Sequence, residues 1–260
     1  MLSLMKYFGT HSDFKALLKF LSPKIFQVVT GSDLLIFARK MSSKALSPTM
    51  DYEELSQFCK KTGPICDYSI SVLPPRTHCS QKIPNELLGQ VALELYFRQL
   101  FQANLWNLDL APERFYLTEQ TLTWSPKPLF WKVDPHFAES IQKMYLGFYC
   151  SQMPLFEEGL NNIHLLPAKD VFLEYFGHED QTQTCFELKK FQKAFDRIFG
   201  ICLESQIQLP PDFLALGILM LTLYQNLESS GLTYNIKNIF KKFTPSEAQN
   251  TLNKPMLQVR

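Results

Sequence analysis

Glycine is scarce in this chain, with 10 residues among 260, and the two signs of charge nearly cancel, with 26 Lys and Arg against 25 Asp and Glu. Few glycines fit poorly with a glycine-rich phosphate loop or with a turn-rich β protein. A formal charge of +1 argues against a nucleic-acid binder, because neutralising phosphates needs a basic surplus. These absences favour a helical protein whose partners do not include nucleic acid.

The sequence also lacks the patterns of a zinc protein, a secreted protein or a membrane protein. None of the six cysteines forms a Cys-x-x-Cys pair, so buried free thiols in a reducing compartment are the favoured interpretation. Lys6, His11 and Asp13 interrupt the apolar start of the chain, which argues against a signal peptide. The apolar run Phe213–Leu227 is shorter than the ~20 residues of a membrane span and predicts a buried core helix. We therefore expect a cytoplasmic protein without a transmembrane segment.

Phenylalanine, by contrast, is unusually frequent, at 22 residues, and hydrophobic residues make up 46% of the chain. Large aromatic side chains at helical spacing suit a core of packed helices. The most periodic segment is Asn85–Phe101, in which Leu88, Val91 and Leu95 mark one apolar side. Similar periodicity predicts helices at Ser22–Val29, Leu34–Met41, Asp51–Lys60, Phe137–Tyr149, Pro154–Leu160, Ala168–Phe176, Cys185–Leu203 and Pro211–Leu227.

Extended structure is predicted in few places. Tyr68–Val72 alternates polar and apolar residues, and Phe115–Thr118 with Leu122–Trp124 suits a short hairpin that leads towards Leu129–Val133. Gly31–Asp33 is predicted to break the helices on either side. The predicted fold class is therefore mainly α, with N-terminal helices and at most a short β hairpin. The predicted organisation is a helical segment over 1–60, a linker or residual β element over 61–84, a helical domain over 85–243 and a polar tail over 244–260.

Four stretches stand out by their order along the chain. Lys24–Gln27 reads K-I-F-Q and is followed by D-L-L at Asp33–Leu35; Phe97–Phe115 reads F-R-Q-L-F-Q-A-N-L-W-N-L-D-L-A-P-E-R-F. Trp131–Asp134 reads W-K-V-D, and Gln206–Leu216 reads Q-I-Q-L-P-P-D-F-L-A-L. In this order they resemble the UbiB/ADCK family of atypical kinase-like proteins. The matching family signatures are K-x-G-Q, the catalytic loop H-A-D-P-H-P-G-N, the strand L-L-D-F-G and a C-terminal L-P-P-D-L.

The resemblance implies a protein-kinase-like C-lobe with a Mg-ATP site. Asp109 falls on the catalytic aspartate and Asp134 on the metal-binding aspartate, so both are implied as metal ligands. Lys24 and Gln27 match the K-x-G-Q motif and, with Arg114, are implied as cofactor-binding residues. Arg114 stands where the family has a metal-ligating asparagine, and a guanidinium, which has only donors, does not coordinate a cation. We expect Arg114 to neutralise Asp109 or Asp134, or to reach a phosphate.

The nucleotide-binding lobe of such a kinase does not fit in this sequence. The predicted helices that end near Lys60 and begin near Asn85 leave about 25 residues between them, too few for a five-stranded sheet with its turns. The sequence contains no V-A-x-K strand and no Gly- or Ala-rich loop. We therefore expect a kinase-like C-lobe without its nucleotide lobe. In that setting Asp109 is also open to a structural role, as a loop organiser that binds backbone N–H groups.

Three functions follow as hypotheses. The first is a UbiB-like pseudokinase, an accessory protein in ubiquinone or lipid metabolism that binds partner proteins, a lipid or a quinone precursor, with peripheral membrane contact. The second is a minimal ATPase or small-molecule kinase that uses Asp109 and Asp134. The third is an unrelated α-helical adaptor, which a structure without a paired Asp109 and Asp134 site would favour.

Overall fold

A computed structural model of the chain describes residues 24–75, 83–118, 121–176 and 183–243. Most of this part is helical, as the amphipathic patterns predict. The α-helices are α1 Ile25–Val28, α2 Gly31–Leu46, α3 Thr49–Thr62, α4 Asn85–Gln102, α5 Pro135–Tyr149, α6 Met153–Asn162, α7 Lys169–Phe176, α8 Leu188–Glu204, α9 Pro211–Ser230 and α10 Ile236–Phe240. Single 3₁₀ turns lie at Pro112–Arg114, Leu166–Ala168 and Lys241–Phe243. The predicted polar tail over 244–260 lies outside the described residues.

Helix α9 forms the centre of the described core. It is apolar on all sides, and a helix of that kind is stable only when other elements surround it. Helices α2, α4 and α8 pack against it, and Gly231, in the left-handed conformation at φ 67°, ends it. The prediction of a buried core helix at Phe213–Leu227 is confirmed. Within the described residues, no helix combines the length and the apolar character that crossing a membrane requires.

The described chain contains more β structure than the single hairpin predicted from the sequence. The strands are β1 Ser69–Val72, β2 Leu105–Asn107, β3 Phe115–Thr118, β4 Thr121–Trp124, β5 Phe130–Lys132, β6 Thr184–Cys185 and β7 Thr233–Tyr234. The expected β3–β4 hairpin is present, but β1 pairs in parallel with β4, with Ser69 opposite Thr121, to make a sheet of three strands. Strand β5, which follows the hairpin in the chain, pairs with β2, and β6 pairs with β7. The limit of one short hairpin was therefore wrong.

Several predicted helix boundaries also differ, among them the end of α2, which lies at Leu46 and not at Met41. Two of the differences have a local reason. Helix α2 begins at Gly31, not Leu34, because the Thr30 hydroxyl oxygen accepts the Asp33 N–H at 3.0 Å and caps the helix. Helix α8 begins at Leu188, because Cys185 lies in β6 instead. The segment after α3 is bound to the helical domain, since the Arg98 guanidinium donates to backbone carbonyl oxygens there.

The described cysteines are all free thiols, as expected, although not all are buried. Cys59, Cys150 and Cys202 are buried, Cys66 is half-buried and Cys185 is exposed. Cys79 lies outside the described residues. Cys185 is exposed because it stands on the short two-stranded sheet at the surface and not in the helix predicted there.

Candidate functional site

The Asp109 loop, Leu108–Arg114, connects strand β2 to strand β3. Asn107, the last residue of β2, holds the start of the loop: its Oδ1 accepts the Asp109 N–H at 2.9 Å, and its Nδ2 donates to the Lys127 carbonyl oxygen at 2.9 Å. Asn107 is fully buried, so its contacts organise the loop and do not face solvent.

Both carboxylate oxygens of Asp109 are bound by groups of the protein itself. Oδ2 lies 2.8 Å from Arg114 Nε and accepts the Lys127 N–H at 2.8 Å. Oδ1 accepts the Ala111 N–H at a longer 3.4 Å. The Asp109 side chain is 4% exposed and that of Arg114 17%. The expectation that Arg114 neutralises an aspartate is therefore met at Asp109, in the interior of the protein.

The environment of this pair is closed and largely apolar. The Trp124 indole N–H donates to the Asp109 carbonyl oxygen at 3.1 Å, and the buried Tyr52 hydroxyl donates to the Pro126 carbonyl oxygen at 2.6 Å. Burial raises the pKa of the Asp109 carboxyl, whereas Arg114 and the N–H groups of Lys127 and Ala111 lower it. Burial also raises the pKa of the Tyr52 hydroxyl, and the nearby Asp109 charge adds to that rise. Asp109 therefore forms an internal ion pair with Arg114. Its carboxylate is enclosed by the protein and is not accessible to a substrate.

Helix α9 secures the loop from the opposite side. The Thr222 hydroxyl donates to the Leu108 carbonyl oxygen at 2.7 Å and accepts the Leu110 N–H at 3.1 Å. One turn later, Asn226 Nδ2 donates to the Leu110 carbonyl oxygen at 2.9 Å. Sequence reasoning did not single out Thr222 or Asn226. The available signal was the spacing of the polar residues Thr222 and Asn226, one turn apart in the mostly apolar run Phe213–Leu227.

Asp134 lies in a separate network at the surface. Its Oδ1 caps helix α5 by accepting the N–H groups of His136 at 2.9 Å and Phe137 at 3.1 Å. The Asp134 N–H donates to Asp212 Oδ1 at 2.9 Å, and the Trp131 indole N–H reaches the same oxygen at 2.9 Å. Asp134 thus closes the first turn of α5 and is joined to the first turn of α9.

The structure does not bring Asp109 and Asp134 together. The Asp109 loop contacts α9 at Thr222, whereas Asp134 contacts it at Asp212, ten residues earlier and therefore about 15 Å away along the helix axis. The hairpin β3–β4 does return to the Asp109 loop, but the residues that it and the following segment bring there are Trp124, Ser125 and Lys127, and not Asp134. No group of three His, Cys, Asp or Glu side chains in the described ranges is arranged to hold a metal ion.

Lys24, the first of the two residues that match the K-x-G-Q motif, takes part in a third contact. Lys24 Nζ pairs with Asp196 Oδ2 at 2.7 Å, so that it joins α1 to α8. Gln27 is exposed on α1. The structure therefore gives Lys24 a role between two helices, and it places Gln27 at the surface.

A polar surface cleft of about 700 Å³ lies where α5 and α9 begin. Its lining includes Asp134, Asp212, His136, His164 and Lys143. Lys143 is engaged by Glu139 and Glu158, each at 2.8 Å, while Asp134 and Asp212 bind backbone N–H groups. The carboxylates that line the cleft are thus each bound by other groups of the protein, Asp33 by the Thr30 hydroxyl among them.

Comparison with known proteins finds no matching family model and no significant match among curated proteins.

Proposed function

We propose that this chain is a UbiB-like pseudokinase, an accessory protein that binds partners and carries out no phosphoryl transfer. The observation that carries the proposal is the buried Asp109–Arg114 ion pair. Phosphoryl transfer needs an aspartate that is open to the substrate hydroxyl and an oxygen ligand for Mg²⁺ beside it. In this chain the carboxylate is enclosed and its neighbour is a guanidinium, so neither requirement is met at Asp109.

The short connection between α3 and α4 supports the same proposal. Strand β1 is the one strand described there, and it pairs with β4 beside the Asp109 loop. About 20 residues separate the two helices. This is too few for a nucleotide-binding sheet, which needs several strands of ~5 residues with their turns. The link to ubiquinone or lipid metabolism rests on the resemblance of the sequence motifs alone.

A second candidate is an α-helical adaptor unrelated to kinases. The separation of Asp109 from Asp134 favours it, because the two carboxylates of a kinase-like site face one reaction centre, one towards the substrate hydroxyl and the other as a ligand of Mg²⁺. The β3–β4 hairpin favours the first candidate instead. It follows the Asp109 loop in the chain and packs back against that loop, which is the arrangement that a kinase-like site would have. Both candidates predict binding without phosphoryl transfer.

Thermal denaturation of the full chain with and without Mg-ATP tests that shared claim. We expect the same Tm in both conditions and no release of phosphate from ATP, because no oxygen ligand is free at Asp109. A saturable rise in Tm together with release of phosphate, both abolished by Asp109→Asn and by Asp134→Asn, would instead support the ATPase hypothesis. Asparagine is also a good N-cap, so Asp134→Asn should keep α5 intact.

A further inference from the structure

Two aliphatic side chains in the first half of helix α2 lie at the surface. Leu35 is 67% exposed and Ile36 45%, whereas Phe37 and Met41, which point to the other side, are the buried residues of the helix. The Phe37 and Trp131 rings pack with their centroids 4.9 Å apart, so the helix is fixed to the rest of the protein. The exposed pair therefore stands on a rigid element.

Charged side chains of both signs flank this pair. Asp33 precedes Ile36 by three residues and Arg39 follows it by three, so the two charges lie about 9 Å apart along the helix axis. Asp33 is half-buried and lines the polar cleft, while Arg39 and Lys40 are exposed. We call the surface formed by Asp33, Leu35, Ile36, Arg39 and Lys40 the α2 face.

We infer that the α2 face binds the same face of a second copy of this chain. In a contact with two-fold symmetry about Ile36, the two α2 helices run antiparallel, and Leu35 and Ile36 of both copies meet at the centre. The symmetry brings Asp33 of each copy opposite Arg39 of the other, so the ion pair forms twice. Each face thus supplies both signs of charge that the other face requires.

Lys40 adds to this charge complementarity. It follows Asp33 by seven residues, which is two turns, so the two side chains lie on the same flank of α2. Two-fold symmetry keeps equivalent flanks on one side of the helix pair, so Lys40 of one copy approaches Asp33 of the other. An anionic bilayer would attract Arg39 and Lys40 but repel Asp33, so the mixed charges favour a second copy. The inference is independent of the proposed function, because the Asp109 loop takes no part in the contact.

Leu46 lies outside this contact, although it is 69% exposed on the same helix. It follows Ile36 by ten residues, about 15 Å along the axis. In the two-fold arrangement it therefore extends past Gly31, where the α2 helix of the other copy begins. Leu46 provides a matched control on the same element.

Sedimentation equilibrium of the full chain at about 1 to 200 µM tests the inference. Because the contact is small, we expect a reversible equilibrium of monomer and dimer with a dissociation constant in the micromolar range. Leu35→Ser/Ile36→Ser removes the apolar centre and should weaken dimerisation about tenfold or more. Leu46→Ser should leave dimerisation unchanged. Both variants should keep the Tm of the parent, because the replaced side chains are exposed.

A charge exchange tests whether the partner is a second copy in this register. Arg39→Glu/Lys40→Glu sets acidic residues against Asp33 of the other copy, so this variant should be monomeric. Asp33→Lys should be monomeric for the opposite reason. Mixed in equal amounts, the two variants should form a heterodimer, because each charge then faces its opposite across the axis.

The inference fails if the parent chain stays monomeric over the whole concentration range, or if the two charge variants do not associate when mixed. It fails equally if Leu46→Ser weakens the dimer as much as Leu35→Ser/Ile36→Ser does. Asp33→Lys also removes the acceptor of the Thr30 hydroxyl. If it lowers the Tm, Arg39→Glu/Lys40→Glu decides by itself, since a dimer as stable as that of the parent would contradict the contact.

Discussion

At the scale of single residues, the site is defined by the arginine at position 114. Arg114 Nε lies 2.8 Å from Asp109 Oδ2, within the range of a charge-assisted contact. The chain thus supplies from its own sequence a positive charge beside the buried carboxylate.

We expect Asp109 to stabilise the fold. Asp109→Ala removes the buried counter-ion of Arg114 and the acceptor of the Lys127 N–H, so we expect a loss of about 3 kcal/mol in the free energy of unfolding, measured by urea denaturation at neutral pH. Arg114→Met should cost a similar amount, because it leaves a buried carboxylate. Asp109→Asn/Arg114→Met removes both charges and keeps an acceptor for Lys127, so it should recover most of the loss.

The opposite result would have an equally clear meaning. Carboxylates that serve catalysis are held at a cost in stability, so removing one commonly leaves a protein as stable as before or more so. An Asp109→Ala variant as stable as the parent would therefore point to a functional carboxylate and would count against the pseudokinase.

At the scale of helices and strands, the sequence predicts what depends on local pattern and misses what depends on distant partners. Helix α4 follows its apolar periodicity within one residue of the prediction. Strands β1 and β5 were placed correctly, but their partners were not, because β1 pairs with β4 about fifty residues later and nothing in Tyr68–Val72 specifies that choice. The start of α2 at Gly31 was not predicted, because a glycine disfavours a helix. The Thr30 side chain caps the helix at this position and outweighs that effect.

The candidate site divides in the same way. The Asp109 loop was singled out from its motif, and the donor-only chemistry of arginine left three roles open for Arg114, which were to neutralise Asp109, to neutralise Asp134 or to reach a phosphate. The structure shows the first of these contacts. The contacts from Thr222 and Asn226 were out of reach, because they join positions more than a hundred residues apart. The pairing of Asp134 with Asp109 also depended on tertiary structure, and the observed N-cap of α5 is the local alternative that Asp134 adopts.

Helices α5 and α6 give a prediction at this scale, since their packing depends on a glycine. A Cβ at Gly147 would lie 2.3 Å from the Phe156 backbone nitrogen, so Gly147→Ala must push the two helices apart. We expect a loss of about 1–3 kcal/mol in the free energy of unfolding, measured by urea denaturation. Gly200→Ala on α8 is the control, because its Cβ would approach nothing closer than 3.9 Å and alanine should stabilise the helix by about 0.5–1 kcal/mol. Equal effects of the two substitutions would contradict the close packing of α5 on α6.

At the scale of the whole molecule, the core keeps many ionisable groups in their neutral form. Burial raises the pKa of Cys59 to about 12 and that of Cys202 to about 11. The same desolvation raises the pKa of the tyrosines that pack among the helices, which are Tyr96, Tyr145, Tyr149, Tyr175 and Tyr224. The Tyr96 and Tyr145 hydroxyls lie 2.6 Å apart and bond to each other, so the pair forms its hydrogen bond within the core.

These raised pKa values determine how the stability of the molecule should depend on alkaline pH. An unfolded thiol titrates near ~8.5 and an unfolded tyrosine near ~10, so above about pH 9 the unfolded chain releases protons that the folded chain retains. The free energy of unfolding should then fall as pH rises towards the folded-state values, by about 1.4 kcal/mol per pH unit for each proton fully retained. Urea denaturation at a series of pH values from neutral upwards, with a reductant present, measures the slope.

Cys59→Ala/Cys202→Ala removes two of the retained protons, so its stability should be lower at neutral pH but decline less steeply above pH 9. The tyrosinate absorbance of the five buried tyrosines should appear together with the loss of helical circular dichroism, because their hydroxyls ionise only when the core opens. Replacing the half-buried Tyr68 and Tyr116 by phenylalanine removes the described tyrosines outside the core from the signal. A chain whose stability stays constant through this range, or that forms most of its tyrosinate while still folded, would show that water reaches the buried groups in the native state.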